Sequence, residues 1–127
     1  MTWHLHLNLD VDPRDLAINL RFKGKPVIHP RVRAAMDEVV VHTKQAIQDE
    51  VDYTPCKDCV VRIIFRFPSR RSDIDGPLKR FLDAIQEAHK ALGLDWNDNR
   101  ISKLVVVRDI TRPGIVMTMD EREHHGY

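Results

Sequence analysis

Cysteine is scarce in this chain of 127 residues: there are two, Cys56 and Cys59. Two cysteines cannot build the disulfide framework of a small secreted scaffold, so we expect a reduced pair in a reducing compartment. Long apolar runs are also missing, since nothing approaches the ~20 residues that cross a bilayer. The start, MTWHLHLNLD, has neither a basic leader nor an apolar signal core, which leads us to expect a cytoplasmic protein. No repeat, linker or low-complexity stretch interrupts the chain. With 43% hydrophobic and 31% charged residues, it has the composition of one domain spanning residues 1–127 and folding around one core.

Net charge is nearly absent too, at +1, but its distribution is uneven. Between Leu16 and Met36 stand Arg21, Lys23, Lys25, Arg31 and Arg33 with no acid. Between Val60 and Arg80 stand Arg62, Arg66, Arg70, Arg71, Lys79 and Arg80 against only Asp73 and Asp75. These stretches carry +5 and +4, so the rest of the chain carries −8 for the total of +1. Such asymmetry fits a one-sided basic surface facing a polyanion. It also fits lysines and arginines that keep hairpin tips and edges soluble.

Hydrophobic periodicity sets a coarse layout. Trp3, Leu5, Leu7 and Leu9 alternate with polar residues, as in a half-buried strand. AINLRFKGKPVIHP reads as a hairpin or extended loop turning at Lys23-Gly24-Lys25, and helical spacing follows from Arg31 to about Glu50. CVVRIIFRF is β-branched and aromatic and stops at Pro68, so it predicts a central strand. A second helix starts near Pro77, with Leu78, Phe81, Leu82, Ile85, His89 and Leu92 on one stripe and Gly93 ending it. Lys79, Asp83, Gln86 and Lys90 flank that stripe. KLVVVRDI and GIVMTMDE around Thr111-Arg112-Pro113-Gly114 predict a C-terminal β-hairpin. The expected fold class is α/β, of the α+β kind, with a mixed sheet and two main helices.

The segment RRSDIDGPLKR is where chemistry gathers. In an extended D-x-D segment alternate side chains share a direction, so Asp73 and Asp75 can face one ion. Asp98, in the loop after the second helix, is expected to return to the same rim. Carboxylates crowded together repel unless a divalent cation such as Mg²⁺ neutralises them, and that cation suits hydrolysis of a phosphodiester. Lys79, one turn into the helix, is placed to stabilise charge on a phosphate, and the helix N-terminus favours one there. The competing reading is that Asp73 and Asp75 merely cap the helix.

DIDGPLKRFLDAI followed by GLDWNDNRI resembles the signature of the RusA family of Holliday junction resolvases, over roughly Val60 to Glu121. The resemblance implies a RusA-like fold and a crossover junction endodeoxyribonuclease that nicks four-way DNA junctions symmetrically in recombination and repair. It implies a Mg²⁺ site, with Mn²⁺ as a substitute, built from Asp73, Asp75 and Asp98, with Lys79 catalytic and Asp83 supporting it. It further implies a homodimer that engages branched DNA, for which Arg66, Arg70, Arg71, Arg80, Lys23 and Lys25 are the candidate phosphate-binding residues. Many members are carried by phages or prophages. Gly76 stands where the family has Asn, and Asn97 takes the first place of its Asp-Asp pair. The alternative function is a non-catalytic protein that binds branched DNA on the same fold.

Other residues carry weaker signals. Cys56-x-x-Cys59 lacks the second pair that a structural zinc site needs. His4, His6 and His124-His125 read as solvated. Trp96 either stacks on a base or anchors its loop to the core.

Overall fold

The computed structural model describes residues 4–122. Trp3 and His124-His125 lie outside them. Strand β1 (Leu5–Leu9) leads through a 3₁₀ turn at Pro13–Leu16 to a small hairpin, β2 (Leu20–Phe22) and β3 (Lys25–Val27). Helix α1 (Pro30–Asp49) precedes β4 (Cys59–Phe67), and helix α2 (Leu78–Ala91) precedes β5 (Ile101–Ile110) and β6 (Gly114–Glu121).

The main sheet has the order β1-β6-β4-β5. β4 runs antiparallel to β6 and parallel to β5, and β1 runs antiparallel to β6. The sheet is therefore mixed, with two main helices against one face. Alternation assigns the faces: Leu5, Leu7 and Leu9, Val61, Ile63, Phe65 and Phe67, and Ile115, Met117 and Met119 are all buried. Phe81 of α2 meets Phe65 edge-on at 6.0 Å between ring centroids, which seats the helix on the central strand. No side chain caps the start of α2 at Pro77. Its end is closed by Gly93 in the left-handed region (φ 74°), with Leu94 N–H donating to the His89 carbonyl at 2.9 Å.

The expected C-terminal hairpin does not form. β5 and β6 pair on opposite sides of β4, and the turn between them straddles its end, where Thr111 N–H donates to the Phe67 carbonyl at 2.9 Å. A short turn between apolar runs specifies that the chain reverses, but not whether a third strand slides into the gap. CVVRIIFRF has apolar residues on both faces and takes that central place. β5 is left as an edge whose Leu104, Val107 and Ile110 are exposed.

The cysteines also depart from expectation. Cys56 and Cys59 form a buried disulfide with Cα atoms 5.6 Å apart, a separation that suits the bond. The tight loop entering β4 holds both sulfurs on the core side, where they meet.

One buried polar cluster ties α2 to the loops around it. His89 is fully buried, and its Nδ1 donates to the Ile85 carbonyl at 2.8 Å, so its Nε2 accepts from the Tyr53 hydroxyl at 2.8 Å. Trp96 stacks on the imidazole at 5.3 Å, which resolves the tryptophan as a loop anchor. Burial holds His89 below the usual imidazole range although the Ile85 bond favours the cation, and the charge of Arg100 adds to the depression. Burial also pushes the Tyr53 hydroxyl pKa up. Unfolding frees His89 to take a proton that the folded imidazole resists, so its contribution is complete above about pH 6.5 and is lost as pH falls below it. Chemical denaturation of His89→Gln should show lower stability at pH 8 and a shallower decline toward pH 5.5 than the parent chain. Tyr53→Phe should cost about 1–3 kcal/mol by leaving Nε2 unpaired.

Candidate active site

The segment from Pro68 to Pro77 links the C-terminal end of β4 to the start of α2 through bends and turns on both sides of Asp73. Asp73 and Asp75 are exposed within it. The expected extended D-x-D is replaced by a local turn, in which the Asp73 carboxylate accepts from Asp75 N–H at 3.0 Å. Neither carboxylate caps α2, which excludes the capping reading; only the Asp75 main-chain carbonyl reaches the helix, accepting from Leu78 N–H at 3.3 Å. Neither acid makes an ion pair among the described residues, although Arg70, Arg71 and Lys79 lie within a few positions. Lys79 pairs instead with Asp83 at 3.6 Å across one helical turn, the partner expected for it.

Two neighbours fix this loop. Arg108 of β5 donates to the Ser72 carbonyl at 3.0 Å. A Cβ on Gly76 would lie 3.0 Å from the Ala17 Cβ, so Gly76 lets the segment after the first 3₁₀ turn approach closely. An Asn there would force the two segments apart. Arg80 holds the same segment, its Nη1 donating to the Leu16 and Ile18 carbonyls at 3.0 and 2.6 Å. Expected to bind phosphate, Arg80 instead serves as an internal clamp.

That clamp determines where the basic hairpin sits. β2 begins two residues after Ile18, so the hairpin leaves the body beside the N-terminus of α2. All six of its strand residues are exposed, and Lys23 at its turn lies 5.5 Å from the Phe22 ring centroid. Among the described residues Lys23 and Lys25 make no ion pair, nor do Arg70 and Arg71 in the loop before α2. Arg66 is half-buried and faces Asp109 at 3.7 Å. It lines a shallow groove of about 470 Å³ at the same end of the sheet, together with Asp10, Arg112 and Gly114.

No protein-family model and no curated protein matches this chain. Its chemistry rests on its own geometry.

Asp98 does not join Asp73 and Asp75. It opens a 3₁₀ turn at Asp98–Arg100, just before β5, and Asn97 caps that turn by accepting from Asn99 N–H at 3.0 Å. Ile101 pairs with Cys59 at the start of β4, while the D-x-D loop leaves its far end. Arg100 anchors the Asp98 loop there, donating to the Cys56 carbonyl at 3.3 Å and pairing with Asp95 at 3.2 Å. From Ile101 to Arg108, beside Asp73, is about 23 Å at ~3.3 Å per strand residue. The expectation of one rim fails for a topological reason: a helix joining two parallel strands carries the chain back along the sheet, so the connections before and after it lie at opposite ends.

The clamps that sequence reading missed, Arg80 and Arg108, have no local signature, because each reaches a carbonyl more than 30 positions away. Arg80→Ala should lower stability by about 1–3 kcal/mol in thermal or chemical unfolding, by leaving two carbonyls without their donor.

Proposed function

We propose that this protein is a divalent-metal-dependent, structure-selective endonuclease that acts as a homodimer on four-way DNA junctions. The observation that carries the reading is a pair of carboxylates, Asp73 and Asp75, without ion pairs among the described residues, before the uncapped N-terminus of α2, with Arg70, Arg71 and Lys79 close to them in the chain. Their donors are hard oxygens with no salt-bridge partner among the described residues, which fits Mg²⁺ or Mn²⁺ better than a thiolate- or imidazole-seeking ion. When bound there, such an ion supplies the charge that polarises a phosphodiester and lowers the pKa of attacking water.

The chain's own groups do the rest. Arg70, Arg71, Lys23 and Lys25 hold the strand by its phosphates, and Arg66 reinforces them at the neighbouring groove. The free N–H groups of the first turn of α2 face a phosphate oxygen. Lys79, held by Asp83, stabilises negative charge on the departing oxygen.

Dimerisation supplies what one chain lacks. β5 is a ten-residue edge with exposed Leu104, Val107 and Ile110, and such an edge invites a second strand. Two copies pairing antiparallel along β5 about a two-fold axis set Ile101 of one against Ile110 of the other. That pairing carries Asp98 of each copy to the end of the sheet where the other copy's D-x-D loop leaves β4, completing two three-carboxylate sites. The second reading, a non-catalytic binder of branched DNA, draws its support from the separation of Asp98 from Asp73 and Asp75 within one chain.

A labelled four-way junction incubated with Mg²⁺ separates the two. Asp73→Asn and Asp75→Asn should each reduce cleavage by at least about 100-fold while keeping or tightening junction binding, since each removes a negative charge facing the phosphates. Lys79→Ala should slow cleavage more than it weakens binding. Mixing Asp73→Asn subunits with Asp98→Asn subunits should restore one intact site per heterodimer and hence partial nicking. Absence of cleavage by the parent chain in Mg²⁺ and Mn²⁺, with binding unchanged by chelator, would select the binder.

A further inference from the structure

A second cluster of ligating side chains lies on the open face of the sheet, away from the D-x-D loop. Leu5, Leu7 and Leu9 point into the core, so His4 and His6 at the alternate positions point outward. On β6, Met117 and Met119 are buried, so Asp120 also faces outward, and the pairing of Leu5 with Met119 sets it across from His4. The two imidazole rings lie 3.9 Å apart, centroid to centroid, and tilted by 52°. The His4 Nδ1 is hydrogen-bonded to the Asp120 carboxylate. One ligating atom from each of the three residues lies within 4.8 Å of the others, the only such trio among the described residues.

An exposed surface gives two imidazoles no hydrophobic reason to crowd against one carboxylate. An ion pair between His4 and Asp120 explains two members of the cluster and leaves His6 without a role. We propose that His4, His6 and Asp120 form a site for a borderline transition metal, of which Zn²⁺ is the probe of choice. Two imidazoles and a carboxylate are the donor types Zn²⁺ takes at its usual ~2.0–2.2 Å, and three protein ligands leave a fourth position for water or an incoming group. Mg²⁺ is a poor competitor, because it prefers oxygen ligands and gives up its waters reluctantly. The ion ties edge strand β1 to β6, so its binding adds to the stability of the fold. The site is independent of the nuclease reading: it uses none of its residues, lying on β1 and β6 at the end of β4 away from Asp73 and Asp75 and, across the sheet, apart from Asp98.

The test is Zn²⁺ titration by calorimetry of the untagged chain in excess Mg²⁺, with thermal unfolding in parallel. One equivalent per chain should bind and raise the melting temperature. His6→Gln and Asp120→Asn should each weaken binding by at least about 10-fold and remove the thermal shift. His124→Gln/His125→Gln and Asp73→Asn/Asp75→Asn should leave both unchanged. His6, Asp73 and Asp75 are exposed and Asp120 is half-buried, and unfolding without metal reports whether each variant keeps the parent's fold. Zn²⁺ uptake that survives both His6→Gln and Asp120→Asn, that is lost in His124→Gln/His125→Gln, or that Mg²⁺ displaces would overturn the assignment.

Discussion

The rest of the structure depends on the position of β4, hydrogen-bonded on one side to a parallel strand and on the other to an antiparallel one. An antiparallel neighbour can follow through a short turn, whereas a parallel one needs a crossover long enough to travel back along the sheet. α2 is that crossover. Its presence fixes the D-x-D loop at one end of the sheet and the Asp98 loop at the other, and the apolar inner face of β4 gives the helix its seat. The same arrangement strands β5 at the edge, because α1 and α2 cover the sheet from β1 to β4 and leave Leu104 and Ile110 uncovered. The separation of Asp98 from Asp73 and Asp75 and the uncovered edge thus have one cause.

Electrostatics divides the basic residues in a way that net charge conceals. Arg80, Arg100 and Arg108 hold main-chain carbonyls, so these three mainly maintain the frame, while Arg66 faces both Asp109 and the groove. Lys23, Lys25, Arg70 and Arg71 make no ion pair among the described residues. Charges left solvated and unpaired keep their full attraction for an incoming polyanion, while paired ones have little left to offer. The distinction decides which substitutions disturb folding and which disturb binding.

Where local chemistry determined the outcome, the sequence was legible. The stripe of α2 and its Gly93 stop, the turn at Lys23-Gly24, the central character of CVVRIIFRF and the Lys79–Asp83 pair all follow from spacing and residue type. Partner choice was not legible, because strand pairing is non-local. Thr111-Arg112-Pro113-Gly114 announces a reversal equally well whether β5 meets β6 or β4 intervenes. The alternation of His4 and His6 was visible, but the arrival of Asp120 depends on a register between residues more than 110 positions apart. Compartment does not determine the cysteine pair; the conformation of the loop from Cys56 to Cys59 brings the two residues together.

The two proposed metal sites differ in donor chemistry, and that difference would let one chain sort its ions. Asp73 and Asp75 offer only carboxylate oxygen in an exposed loop among cations, a setting that favours a hard, hydrated ion able to keep waters and accept a phosphate oxygen. His4, His6 and Asp120 offer two nitrogens and one oxygen on a sheet surface whose backbone spacing is fixed by hydrogen bonds, which favours a smaller coordination number. Affinity alone would let a transition metal occupy both places, since it outcompetes Mg²⁺ at most ligand sets. On the two proposals together, an imidazole site on β1 and β6 would draw that metal first and leave the loop beside α2 to the abundant hard cation.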